Sequence, residues 1–393
     1  MKNKYFSGVS INVILLGVVS FLNDISSEMI MPILPMFLTA LGGTGIVIGL
    51  VGGLMESISS ILKVISGYLS DKIGKRKIFI SFGYFTSAIC KLFLAFSKIW
   101  QQVLIFSSLE RTGKGLRTAP RDAILADSMP KERGRGFGIH RAMDTSGAVL
   151  GSIIVFILFW FLGFDFKSII IIAAILAFIS LIPLFFVKEK RKEPQNITLK
   201  IGFKNLSQPL KLFILVSFVF ALANFSYMFF ILRAKEFFPG KLSIGIPILL
   251  YILFNIFYAL FTIPFGALSD KIGRKKVIIF GYLLFSLTSL GFVFFNSLIA
   301  FLILFSLYGL VYAIIDGNQR AFVSDLSQTA LRATALGTFH TTIGLAALPA
   351  GLIAGFLWQM NPSITFIYGA IVSIISVALF TIFRNYFKEA RQF

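Results

Sequence analysis

Long apolar runs recur along this chain from one end to the other, and they leave few folds open. Val9–Leu38, Ile46–Ser70, Ile78–Ser97 and Ser168–Val187 each approach or exceed the ~20 residues that span a bilayer core. Comparable runs follow at Leu212–Phe237, Ile244–Leu268, Val277–Phe295, Leu298–Val311 with its extension, Ala335–Met360 and Ile364–Phe383. The stretch from Ile99 to Leu162 supplies two more, the first laced with charge. At that length each run predicts a membrane-spanning helix. The reading is an all-α integral membrane protein with twelve transmembrane helices. Only 14% of the 393 residues are charged, against about a quarter in a soluble domain.

The net charge of +20 raises the question of a nucleic-acid partner. Its distribution argues against one. The cations fall in alternate loops: Lys2 and Lys4; Lys72, Lys75, Arg76 and Lys77; Lys131, Arg133 and Arg135; the central link; Lys271, Arg274, Lys275 and Lys276; and Arg384, Lys388 and Arg391. The other loops are short, with Lys98, Lys167, Lys235 and Lys241 as their main cations. That asymmetry predicts cytoplasmic termini in an inner or plasma membrane. Trp100, Trp160 and Trp358 fall at predicted outer ends, as an aromatic belt would. The first run is too long for a cleaved signal, so no cleavage is expected. The one cysteine, Cys90, forms no internal disulfide.

The chain also repeats itself. "GYLSDKIGKRKIFI" at Gly67–Ile80 returns as "GALSDKIGRKKVII" at Gly266–Ile279, 199 residues on. Arg133 and Gly138 recur as Arg332 and Gly337 at that offset. Asp127 and Trp160 recur as Asp325 and Trp358, each one residue out of register. The polar stretch "KEKRKEPQNITLKIGFKNLSQPLK" lies between the copies. Two pseudo-symmetric six-helix bundles are therefore expected, residues 1–187 and 212–393, joined by a cytoplasmic link at 188–211.

Gly67, Asp71, Gly74 and Arg76 lie in a pattern that resembles the loop signature of the major facilitator superfamily, G-x-L-x-D-x-x-G followed by three basic residues. Gly266, Asp270, Gly273 and Arg274 match it again. The span count, link and topology fit too, so the resemblance covers essentially the whole chain. It implies that these loops, with Asp127 and Asp325 as partners, latch the two halves in the outward-open state.

Charge inside a span is costly and marks a functional candidate. Asp24 and Glu28 are four apart on one helix face, followed by Pro32 and Pro35. This resembles the first-span motif of the twelve-span drug/proton antiporters. Glu110, Lys114, Arg117 and Arg121 form one stripe of the fourth span. There Arg111, Gly113 and Gly115 resemble the family's R-x-x-x-G motif, with Lys114 near the place of its usual glutamine. Counting ~1.5 Å per residue from the loops puts Asp24, Glu56 and Arg111 near one depth. Asp24 or Glu28 is therefore expected to carry an exchanged proton, with Arg111 tuning it. Glu56, Lys114, Arg117, Asp144, Asn224, Asp316 and Arg320 are the candidates for a substrate cavity. His140 and Asp144 share a stripe of the fifth span with Gly147 and Gly151, where a proton relay competes with simple packing. The antiporters' proline is absent from "DTSGAVLGS". Lys63 and Lys91 are read as snorkelling from the ends of their spans.

No P-loop, H-E-x-x-H, G-x-S-x-G or Cys/His zinc spacing occurs in the sequence. The expectation is a non-enzymatic secondary transporter, a monomer without cofactor or metal. It would export drug-like or amphipathic small molecules in exchange for protons by alternating access. The alternative is proton-coupled transport of an anionic or metal-chelating metabolite.

Overall fold

The computed structural model describes residues 9–189, 206–328 and 331–391. Every regular element among them is helical. The chain runs through α1 (Ile11–Ile30), α2 (Leu34–Ala40), α3 (Gly45–Ile73), α4 (Arg76–Ala95), α5 (Trp100–Ser128), α6 (Arg133–Trp160), α7 (Phe166–Ile179) and α8 (Ile182–Phe185). After the central link come α9 (Gln208–Ala223), α10 (Met228–Lys235), α11 (Leu242–Ile272), α12 (Arg274–Phe294), α13 (Leu298–Leu326), α14 (Arg332–Met360) and α15 (Pro362–Ile382). A 3-10 segment, Phe383–Arg391, follows.

Taking α1 with α2, α7 with α8 and α9 with α10 as broken spans leaves twelve. Pro32 and Pro183 lie at the first two breaks, where the missing N–H cannot continue a helix. Eleven of the twelve are long and apolar enough to cross a membrane. α5 matches them at 29 residues but carries Glu110, Arg111, Lys114, Arg117 and Arg121, so hydropathy alone does not mark it. Within the expected link, residues 190–205 lie outside the described residues, and α9 already begins at Gln208.

By its contacts the chain forms two compact units. The first takes in the chain up to Leu34 and from Ile58 to the link; the second takes in Pro35–Ser57 and everything beyond the link. α3 is thus divided between them. Ser57 donates to the carbonyl of Gly344 on α14, and Ser66 donates to that of Gly115 on α5.

In the first unit α4 lies along α5 and α1 along α6. Val13, Leu16, Val19, Ile80, Tyr84 and Ile124 form the core at one end. In the second unit the core is built from stacked aromatic rings. Phe220 lies 3.9 Å from Tyr282 and Phe230 lies 4.0 Å from Tyr308, centroid to centroid. Such pairs add about 0.5–1.5 kcal/mol beyond their buried area. Phe185, Phe294 and Ile263 instead stand exposed, as suits helices whose solvent is lipid.

Candidate functional site

Glycine positions the charges of the first unit. A Cβ on Gly147 or Gly151 of α6 would run into the carbonyl oxygens of Phe21 and Ile25 on α1. Only glycine lets these helices approach so closely. That approach brings the Asp144 carboxyl, on α6, to within hydrogen-bonding reach of Asp24 on α1. Lys114 and Glu28 are the next charges around Asp24. Arg141 closes on Asp144 from outside at 3.0 Å.

Further along α1, Ser26 and Ser27 accept hydrogen bonds from Lys91 of α4, at 2.9 and 2.8 Å. Glu110 is buried on α5, with Arg111 Nε 3.4 Å from its carboxylate. Arg111 also reaches Met31 Sδ at 3.1 Å. Arg117 is turned inward: its guanidinium lies 4.3 Å from the Tyr84 ring centre, and Nη1 donates to Ser87 Oγ. Between Asp144 and the motif loop sits a second polar knot. Ser20 Oγ meets His140 Nε2 at 2.9 Å, Tyr84 Oη at 3.1 Å and Arg121 Nη1 at 3.1 Å.

The second unit has a different chemistry. Tyr308 and Tyr312 of α13 are bonded through their hydroxyls at 3.3 Å. Asn224 bonds to Tyr312, and Glu56 and Asp316 are the acidic groups near it. Tyr258 donates to Asp316 at 3.0 Å, and Arg320 pairs with the same carboxylate. Tyr227, Tyr251 and Phe254 continue the aromatic patch, with Tyr227 and Tyr251 5.5 Å apart. Glu56 is exposed on α3.

The two motif loops share one construction. Gly74 has φ 72° and Gly273 φ 96°, the left-handed region where a side chain is strained. Arg76 opens α4 and bridges Asp71 and Asp127, both at 2.6 Å. Arg274 opens α12 and bridges Asp270, at 3.0 Å, and Asp325. The second loop is one residue shorter between its helices. The arginine moves with the helix start, so Arg76–Asp127 and Arg274–Asp325 both span 51 residues. This accounts for the register slip of Asp325. In the first loop Glu189 also caps α4, accepting from the backbone N–H of Arg76 and Lys77. A cavity of about 260 Å³ lies here, lined by Asn12, Asp71, Arg76, Asp127 and Glu189. It is below the usual ~300–1,000 Å³ of a small-molecule site.

The same one-residue slip aligns the two units. A shift of 198 residues takes Arg76 to Arg274, Lys91 to Ser289, Glu110 to Tyr308 and Lys114 to Tyr312. Lys91, Glu110 and Lys114 thus fall on hydroxyl-bearing residues, whereas Arg111, Arg117 and Arg121 fall on Gly309, Ile315 and Gln319.

Two features escaped the sequence. Lys91 does not snorkel: it is 1% exposed, because Ser26 and Ser27 give it partners inside the unit. The paired serines were the available signal. The tyrosine patch was missed as well, although Tyr308 and Tyr312 stand one helical turn apart.

The Major Facilitator Superfamily family model matches residues 16–247 and again 213–392. An uncharacterized MFS-type transporter of Methanocaldococcus jannaschii is 59% identical over 372 residues, covering 94% of each chain. The quinolone resistance protein NorA of Staphylococcus aureus is 26% identical, over 95% of this chain and 96% of its own. Among solved structures, the nucleoside transporter NupG aligns over 97% of this chain and 99% of its own, with TM-score 0.78 and 17% identity. With two motif loops, twelve spans and a family match over nearly its whole length, this chain belongs to the major facilitator superfamily of membrane transporters.

Proposed function

We propose that this transporter is an exporter of amphipathic or drug-like small molecules, driven by exchange with protons through alternating access. The observation that carries the reading is the meeting of the Asp24 and Asp144 carboxyls inside the first unit, with Lys114 beside them. Two carboxyls at that range share one proton more readily than they hold two charges. Lys114 beside Asp24, with Arg141 at 3.0 Å from Asp144, stabilises the pair once the proton leaves. Lys114 thereby takes the tuning role that the sequence reading gave to Arg111. The tyrosine patch with Glu56, Asn224 and Asp316 suits a flat, amphipathic substrate: rings stack on its faces and hydroxyls orient its polar groups. The quinolone resistance protein among the relatives points the same way. The motif loops serve as the latch, and both face the cytoplasm with the termini. The protein acts as a monomer in the cell membrane.

The test is a screen in proteoliposomes with a pH dye trapped inside. Quinolones and lipophilic cations are supplied against an imposed proton gradient. Movement of dye signal and compound in opposite directions supports the proposal. Transport of an anionic metabolite, with no response to these compounds, would replace the substrate class.

A further inference from the structure

Proton exchange through Asp24, Asp144 and Lys114 leaves the buried Lys91 without a task. Lys91 is fully enclosed in α4. Its bonded partners are neutral hydroxyls, Ser26 Oγ and Ser27 Oγ of α1. The Ser26 hydroxyl is itself committed: it donates to the carbonyl of Ala173 on α7. It can therefore only accept from Lys91. Ser27 is not so constrained, since a hydroxyl can donate or accept. The ammonium form of Lys91 donates to both serines. The neutral amine donates to Ser26 and accepts from Ser27. The seat thus gives each protonation state two hydrogen-bond partners, Ser26 and Ser27, through a turn of the Ser27 hydroxyl alone.

Charges of both signs surround this cation. Lys91 is faced by Glu110, Arg111 and Arg117 from α5 and by Asp24 from α1. α7, also packed on α4, carries Lys167, which lies instead over the Phe96 ring at 5.0 Å. Lys91, Arg111 and Arg117 thus share the neighbourhood of Glu110, and Asp24 is a second carboxyl on the α1 side. If Lys91 becomes neutral, Glu110 keeps Arg111 at 3.4 Å, so no buried charge is abandoned. Arginine cannot play the same part, because its guanidinium does not release a proton in proteins.

We propose that Lys91 is a second proton-exchanging group of the first unit, distinct from the Asp24–Asp144 pair. The inference rests on the proton-coupled reading of that unit. In the step, one Nζ–H bond breaks and the proton passes to a water molecule. The ammonium becomes a neutral amine, which keeps the electron pair and accepts the Ser27 hydroxyl. Reprotonation reverses each change. A cycle using both sites moves two protons.

The test needs no substrate. Detergent-purified protein is titrated in weakly buffered solution with a soluble pH dye, between about pH 5 and 9, below the ~10.4 at which an ordinary lysine releases its proton. Wild type, K91R, K91Q and the double variant D24N/D144N are compared, each checked for a single monodisperse peak. K91R and K91Q are each expected to release one proton fewer than wild type. D24N/D144N is expected to keep the Lys91 proton, which separates failure here from failure of the carboxyl-pair reading. Release from K91R, or from K91Q if only that variant folds, that equals wild type would make Lys91 a fixed charge and overturn the proposal.

Discussion

At the scale of residues, the second unit offers the plainest test of substrate contact. Tyr312 bonds to Tyr308 and Asn224 and lies near Glu56 and Asp316. Its ring provides area and its hydroxyl provides direction. Tyr312→Phe keeps the first and deletes the second. A lost neutral hydrogen bond is worth about 0.5–1.5 kcal/mol, or roughly 2- to 12-fold in affinity. Binding of a transported compound, measured by tryptophan quenching or scintillation proximity, should weaken within that range with transport rate largely kept. An unchanged affinity would remove Tyr312 from the binding surface.

At the scale of elements, close helix approach does the positioning. Gly147→Val would push α6 away from the Phe21 carbonyl on α1, at an overpacking cost of about 1–3 kcal/mol. The expected outcome is a lower midpoint of thermal unfolding in detergent together with loss of pH-dependent transport, since Asp144 is carried away from Asp24. A stable variant with unaltered pH dependence would mean that the contact does not matter. The motif loops give a second prediction at this scale. Asp71→Asn removes one of the two carboxylates that Arg76 bridges. The resting population should shift toward inward-open and turnover should slow, because a latch acts only through unequal affinity for the two states. Spin-label distances across the two halves read the shift, and an unchanged distribution would count against the latch.

These two elements also show what the sequence made legible. The spans were readable because apolar length is a local property, and the loops because glycine, aspartate and arginine recur at fixed spacing. The Asp24–Asp144 meeting was not readable, since it depends on which helices pack together. Depth along separate helices placed Asp24 level with Arg111, yet depth says nothing of azimuth. Arg111 instead reaches Glu110 and Met31. Lys91 was misjudged for the same reason: position along a span suggested snorkelling, while its enclosure comes from α1 and α5.

At the scale of the whole molecule, a duplicated architecture carries unlike chemistry in its two copies. Glu110 and Lys114 correspond to Tyr308 and Tyr312, and Lys91 to Ser289. The proposed proton exchange uses the charged copy and the proposed aromatic recognition uses the tyrosine copy. Topology is testable at the same scale. Gln195→Cys should resist impermeant thiol reagents in intact cells and react after permeabilisation; labelling from outside would reverse the orientation.

The central claim is that a proton shared by Asp24 and Asp144 drives transport. The most direct measurement compares D24N/D144N with wild type in proteoliposomes, for one compound found in the screen, under two regimes. Exchange of labelled for unlabelled compound at equal concentrations needs no net proton movement; accumulation against a concentration gradient does. The account predicts that the double variant keeps a substantial part of the exchange, loses its pH dependence, and fails to accumulate the compound on a proton gradient. Uphill accumulation by D24N/D144N, driven by the same proton gradient, would contradict it.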